Sequence, residues 1–169
     1  MMDAPPPNPP SAPPQEEAEG PRVRAHPPTV MFAALVAGYL IRLYAGGSLP
    51  LPRALAEGLG GFLIILALAI LMASTRVFNE AGETLRPDTP SKRLLTEGPY
   101  RFSRNPIYLA MMIFGAGFGV ATSNVWIILT TALAGVILHF LAIRPEEAYL
   151  ERKFGEAFAD YRRRVRRWI

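Results

Sequence analysis

No cysteine occurs anywhere in the chain, which excludes a disulfide framework, a thiolate metal site and a cysteine nucleophile. Charge is missing from long stretches, and that absence is more telling than the small net charge of +4. Half of the residues are apolar and they are gathered in blocks instead of alternating with polar ones, a composition suited to lipid and not to a water-facing domain. The first residues are not expected to act as a secretory signal, because a charged start, an apolar core and a small-residue cleavage site do not occur there in that order. The first apolar block still has the makings of an uncleaved signal-anchor. No nucleic-acid motif accompanies the basic residues, which flank the apolar blocks and crowd the C-terminus, so a membrane surface explains them better than a nucleic acid does.

What is present first is proline: ten of the seventeen prolines fall in Met1–Pro28, among Ser, Gln and Glu, with almost nothing apolar to bury. That predicts a disordered or polyproline-like tail. Four apolar blocks follow, over residues 29–45, 58–75, 106–121 and 125–143, each within reach of the roughly 17 to 25 residues that cross a bilayer. Gly46-Gly47-Ser48 with Pro50 and Pro52 makes a turn between the first two. Thr122-Ser123-Asn124 leaves room only for a tight turn between the last two, so these form an antiparallel hairpin. The connection Phe78–Arg104 is long, polar and broken by Pro87, Pro90 and Pro99, and long connections are often functional. It carries Arg86, Lys92, Arg93, Arg101 and Arg104, and eight more basic residues follow Ile143, whereas the short loops are almost uncharged. By the positive-inside rule the long connection and both termini face the cytoplasm. The fold class expected is an all-α integral membrane helical bundle of about four transmembrane helices, with a C-terminal amphipathic helix over 145–168. In that last segment Leu150, Phe154, Phe158, Tyr161, Val165 and Trp168 recur at helical spacing, and Gly155 marks a possible bend.

Chemistry is expected where polar groups meet the third block, at EGPYRFSRNPIYL. Gly98-Pro99 is a turn pair, and Asn105 before Pro106 is the order of an N-cap followed by proline at the first helical position. The helix beginning at Pro106 offers bare N–H groups and a positive dipole end to an oxygen-rich group, with Tyr100, Arg101, Arg104 and Tyr108 beside it. A plain capped helix entry with snorkelling arginines accounts for the same residues. Glu146 and Glu147 are adjacent and point about 100° apart on a helix, and the hairpin returns them to the end where Asn105 lies. Acidic residues placed near a helix start after Pro145 are the plainer explanation. Together, the two carboxylates and the arginine-rich helix start suit a zwitterionic cofactor. His139, ionisable at membrane depth, is a functional candidate, and it shares a face with Glu146 if the helix runs unbroken past Pro145. Gly115, Gly117 and Gly119 fit close helix packing, or the approach of a flat ligand to the backbone.

GPYRFSRNPIYL, a two-span hairpin and then PEEAYLERKFGEAFADYRRRVRRWI, taken in that order, resemble the isoprenylcysteine carboxyl methyltransferase and phospholipid methyltransferase superfamily of integral membrane enzymes. The resemblance covers roughly Phe78–Ile169. It implies S-adenosylmethionine as cofactor, held between the last two spans and the C-terminal segment at the cytoplasmic side, and a lipid-like or amphiphilic acceptor methylated on O, N or S. Arg104-Asn105-Pro106-Ile107-Tyr108 corresponds to the family's RHPxY motif and Glu146-Glu147 to its paired glutamates. The resemblance thus implies cofactor binding by Arg104, Asn105, Pro106, Tyr108, Glu146 and Glu147, to which Tyr100 and Arg101 are added for their place beside the helix start. Arg144, as a nearby cation, and His139, for its membrane depth, are the catalytic candidates, and no metal is expected. Asn105 stands where many members have His, and Ala142 where eukaryotic members carry an arginine, which Arg144 replaces only from another direction. Both departures weaken the claim of a prenylcysteine acceptor. A membrane reductase of a sterol- or quinone-like lipid using a nicotinamide cofactor, and a non-enzymatic membrane scaffold, are the alternatives.

Overall fold

A computed structural model describes residues 21, 25–83 and 90–169. Most of the proline-rich segment, and the part of the long connection holding Arg86 and Pro87, lie outside the described residues. Helix α1 spans Pro27–Ala45, α2 Arg53–Glu80, α3 Pro106–Ala121 and α4 Val125–Leu138. A π-turn, His139–Ile143, leads from α4 into α5, Arg144–Phe154, and α6, Glu156–Arg164, follows. There is no strand among the described residues, and α1, α2 and the run from α4 through α5 are long and apolar enough to cross a membrane. The architecture is an all-α membrane bundle. With 16 residues α3 is about 24 Å long, short of a hydrocarbon core of roughly 30 Å, whereas α2 with 28 residues is about 42 Å long.

Three of the expected boundaries move. The first helix takes in Pro27 and Pro28, and these prolines stand at its first turn, where a missing N–H costs nothing. The second extends at both ends beyond the apolar block, because nothing in Arg53–Glu80 interrupts a helix and its polar ends are solvent-facing. The expected single helix over 145–168 is two helices and an extended tail: Gly155 adopts φ +49°, which breaks the axis, and Val165 leaves helical geometry at φ −122°, ψ 128°. Val165 and Trp168, although at helical spacing, therefore lie beyond the last helix.

Close approach of backbones holds the bundle. A Cβ on Gly60 of α2 would meet the Ala121 backbone nitrogen at 2.3 Å, one on Gly117 of α3 would meet Leu63 at 2.8 Å, and one on Gly115 would meet the Thr131 hydroxyl at 2.5 Å. These glycines serve helix packing, the plainer of the two expectations, as small residues commonly do in lipid, where van der Waals contact replaces the hydrophobic drive. Packing is most extensive between α2 and α3, then between α1 and α4 and within the α3–α4 hairpin. At one end of the bundle the short loops are tied together: Trp126 Nε1 donates to the Gly46 carbonyl at 2.7 Å and Ser123 Oγ to the Leu49 carbonyl at 3.3 Å. Asn124 caps α4 there, its side chain accepting from the N–H groups of Trp126 and Ile127. The long connection, the start of α3 and the C-terminal segment are left at the opposite end.

Candidate functional site

At that end the chain Gly98–Arg101 forms a single 3₁₀ turn, as the Gly98-Pro99 pair predicts, with Gly98 at φ +56°. Pro106 opens α3 and the Asn105 carbonyl accepts the first helical bond from Leu109, at 3.0 Å. The Asn105 side chain does not cap the helix, contrary to expectation. Its amide instead donates to the Arg167 carbonyl at 3.3 Å, and the Ser103 hydroxyl donates to the same carbonyl at 3.2 Å. No side chain of the cap residue therefore occupies the first-turn N–H groups of α3.

The C-terminal segment lies along this turn. Arg104 donates from its backbone N–H to the Arg166 carbonyl at 3.0 Å, and from its guanidinium to the Val165 carbonyl at 2.8 Å. Tyr161 donates its hydroxyl to the Tyr100 carbonyl at 2.7 Å. Burial pushes the phenols of both Tyr100 and Tyr161 well above their ordinary range, so each is a neutral donor at physiological pH.

The two glutamates part company. Glu147 is buried and accepts from two guanidiniums: Arg104 reaches its Oε1 at 2.8 and 3.1 Å, and Arg167 Nε reaches its two oxygens at 3.0 and 3.1 Å. Glu146 accepts from the Tyr108 hydroxyl at 3.1 Å and has no cationic partner among the described residues. Neighbouring helical positions face about 100° apart, which is why one carboxylate turns to the C-terminal segment and the other to α3. The helix does not restart at Pro145. Arg144 donates its N–H to the His139 carbonyl, a π-type bond, so the helix widens by one residue just where the proline lacks its own N–H. The helix is thus not regular between Glu146 and His139. The His139 ring lies edge-on to Phe140, with Nε2 3.4 Å from Arg167 Nη1.

A cavity of about 450 Å³ takes in Tyr100, Arg104, Asn105, Pro106, Tyr108, Glu146 and Glu147, seven of the eight residues assigned to cofactor binding from the sequence. Arg101, Arg144 and His139 lie outside its lining. Arg101 and Arg144 are exposed, and Arg144 stacks over the Phe140 ring at 5.7 Å. The far wall was not anticipated. Leu71, Thr75 and Phe78 of α2 and His26, Pro27 and Pro28 at the start of α1 form it, so the cavity is not confined between the last two spans and the C-terminal segment. Part of the segment expected to be a bare tail thus belongs to the site. Two side chains that tie this end together also escaped sequence reasoning, Arg167 and Tyr161. The run RRRVRRW signalled only a basic surface, and a helical wheel misplaces Arg167 because the helix has ended before it.

The chain is similar to several characterised proteins over part of its length. It is 36% identical over 75 residues, 44% of this chain and 35% of the relative, to the nickel-cobalt-cadmium resistance protein NccN of Alcaligenes xylosoxydans xylosoxydans. It is 37% identical over 75 residues, 43% of this chain and 37% of the relative, to protein-S-isoprenylcysteine O-methyltransferase B of Arabidopsis thaliana. With the protein-S-isoprenylcysteine O-methyltransferase of Schizosaccharomyces pombe it shares 31% identity over 93 residues, 51% of this chain and 39% of that one. The matches thus span little more than a third of each relative. The phospholipid methyltransferase family model matches residues 55–157, which takes in nearly all of α2, the long connection, the hairpin and both glutamates, and the chain therefore belongs to the phospholipid methyltransferase family.

Proposed function

We propose that the protein is an integral membrane methyltransferase that uses S-adenosylmethionine and methylates an oxygen, nitrogen or sulfur atom of a lipid-like or amphiphilic acceptor. The observation that carries this is Glu146: a carboxylate lining a cavity, held by one phenol and matched by no cation among the described residues. A carboxylate drawn out of water is costly unless a positive group joins it, so the arrangement favours a ligand that brings an ammonium or several hydroxyls. The Tyr100 hydroxyl, which has no hydrogen-bond partner among the described residues, lines the same cavity. The uncapped first turn of α3 offers N–H groups and a positive dipole to the carboxylate of the same ligand. A zwitterionic amino-acid moiety thus finds both of its charges answered, and the fit to S-adenosylmethionine is good. When bound, that cofactor supplies a methyl group on a sulfonium whose sulfide leaves as a neutral group.

The protein's own part is to hold the two reactants in line and to exclude water. Leu71, Phe78, Leu94, Leu95 and Met111 give the cavity an apolar side suited to an acyl or prenyl chain. The relatives named as protein-S-isoprenylcysteine O-methyltransferases support methyl transfer, although Asn105 in place of the motif's His leaves the acceptor open. Lys92, Arg93, Arg101, Arg104 and the C-terminal arginines share the cavity end, while at the other end Arg53 is paired with Glu57 at 2.7 Å. The positive-inside rule then puts the cavity and both termini on the cytoplasmic side of the cell membrane.

Titration calorimetry with S-adenosylmethionine on the detergent-solubilised protein, followed by transfer of a labelled methyl group to a total lipid extract of the source cell, tests the proposal. Saturable binding and a labelled lipid are expected. Binding of a nicotinamide cofactor in its place would overturn the proposal in favour of a reductase, and binding of neither would leave a scaffold.

A further inference from the structure

Arg167 is fixed from both sides of its own Cα. Its carbonyl accepts from Ser103 Oγ at 3.2 Å and from the Asn105 amide at 3.3 Å, while its guanidinium spans both oxygens of Glu147. The next residue, Trp168, packs on the apolar cluster of Tyr108, Leu138, Ala142 and Ile143. An extended segment after the last helix is thus pinned across the start of α3. Its arginine sits about one-third exposed against a Glu147 side chain only 11% exposed. Arg104 completes the arrangement from the opposite direction with a side chain 8% exposed.

Two adjacent carboxylates at one cavity would compete for any positive ligand, and only an internal cation on one of them breaks the tie. We propose that Arg167 is the positioning residue that does so. With Arg104 it engages Glu147, and thereby leaves Glu146 as the carboxylate that meets the positive group of a ligand in the cavity. The segment Val165–Trp168 is on this view part of the binding site, acting through Glu147 and through the Asn105 turn without touching the ligand. The inference rests on the binding of a cationic ligand proposed above. It explains why an arginine is needed: a guanidinium bridges both oxygens of a carboxylate in one plane, which an ammonium does not.

The test is the cost of Glu146→Gln measured in different Arg167 backgrounds, by calorimetry with S-adenosylmethionine on the full chain in detergent. With Arg167 present, Glu146→Gln should weaken binding about ten- to a hundredfold. With Arg167→Ala, Glu147 keeps Arg104 on its Oε1 while its Oε2 loses its cation beside the cavity and partly substitutes for its neighbour, so the same change should cost only about threefold, roughly the value of a partial charge contact. Arg167→Lys restores a cation without the two-oxygen bridge and should return the cost only part of the way to that of the parent. A purely structural arginine would lower the thermal midpoint yet leave the cost of Glu146→Gln equal in all three backgrounds, and that result would overturn the proposal. Should Arg167→Ala fail to fold, Arg167→Gln, uncharged and polar though shorter, takes its place.

A second measurement needs no ligand. Thermal midpoints of Arg167→Gln, Glu147→Gln and the double variant should be non-additive, the double variant losing less than the two single losses summed. Strict additivity would overturn the pairing on which the proposal stands. Failure of the unaltered protein to bind S-adenosylmethionine would count against the proposed function, while this cycle would still test the pairing of Arg167 with Glu147.

Discussion

Replacing Glu147 by glutamine keeps the side chain's size and removes the charge shared by Arg104 and Arg167. The Arg104 and Glu147 side chains are 8% and 11% exposed, so truncating the acid strands a nearly buried guanidinium, a change worth about 3–5 kcal/mol when neither partner sees water. Arg167 is 34% exposed and rehydrates at smaller cost, which brings the expected loss of stability towards the lower end, about 3 kcal/mol. Glu146→Gln disturbs only the hydrogen bond from Tyr108, so stability should change by about 1 kcal/mol or less. The order reverses for ligand binding. Glu146→Gln removes the carboxylate that faces the cavity without an internal cation, and affinity for S-adenosylmethionine should fall by on the order of 1.5–3 kcal/mol. Glu147→Gln, measured on the fraction that remains folded, should lose less. Glu151→Gln is the control, because its bond to Arg162 joins two half-exposed side chains and such pairs contribute about 0–1 kcal/mol. Thermal unfolding and titration calorimetry in the same detergent give both quantities. A Glu147→Gln protein with unchanged midpoint and a large binding defect, beside a silent Glu146→Gln, would refute this division of labour.

Tyr108→Phe removes the phenol that orients Glu146, and calorimetry should show affinity for S-adenosylmethionine reduced by about 1 kcal/mol, roughly fivefold, with folding preserved. Gly60→Ala forces a methyl group against the Ala121 backbone and should destabilise the α2–α3 contact by about 1–3 kcal/mol, read as a lower thermal midpoint. Reporters fused after Ile169 and within residues 90–96 should both read cytoplasmic and one within Gly46–Leu49 should read external; finding the long connection outside would contradict the orientation proposed for the cavity.

Much of the site was legible in the chain because it depends on local order. Gly98-Pro99 and Asn105-Pro106 each act within a few residues, through φ restriction and a missing N–H, so the turn and the start of α3 follow from the sequence. The same local logic failed for the Asn105 side chain. Its capping geometry competes with a carbonyl more than sixty positions away, and only the folded chain brings the Arg167 carbonyl there. A shared face for His139 and Glu146 depends on a helix running unbroken past Pro145, and the π-turn His139–Ile143 interrupts its regular spacing.

The sequence by itself determined that this is a helical membrane protein, where its apolar segments lie, that two of them form a hairpin, and that Asn105 and the paired glutamates come to one end. These follow from hydrophobic length, from the shortness of the turn Thr122-Ser123-Asn124 and from the impossibility of leaving backbone groups unpaired in lipid. Tertiary structure alone decided which of the two glutamates lining the cavity is paired with arginine, that Arg167 and not Arg144 joins Arg104 there, and that α1 and α2 close the far wall. The reason is physical: hydropathy fixes which side of a helix avoids water, but a charge pair is chosen by distance and direction among several chemically identical arginines, and those exist only once the helices have packed.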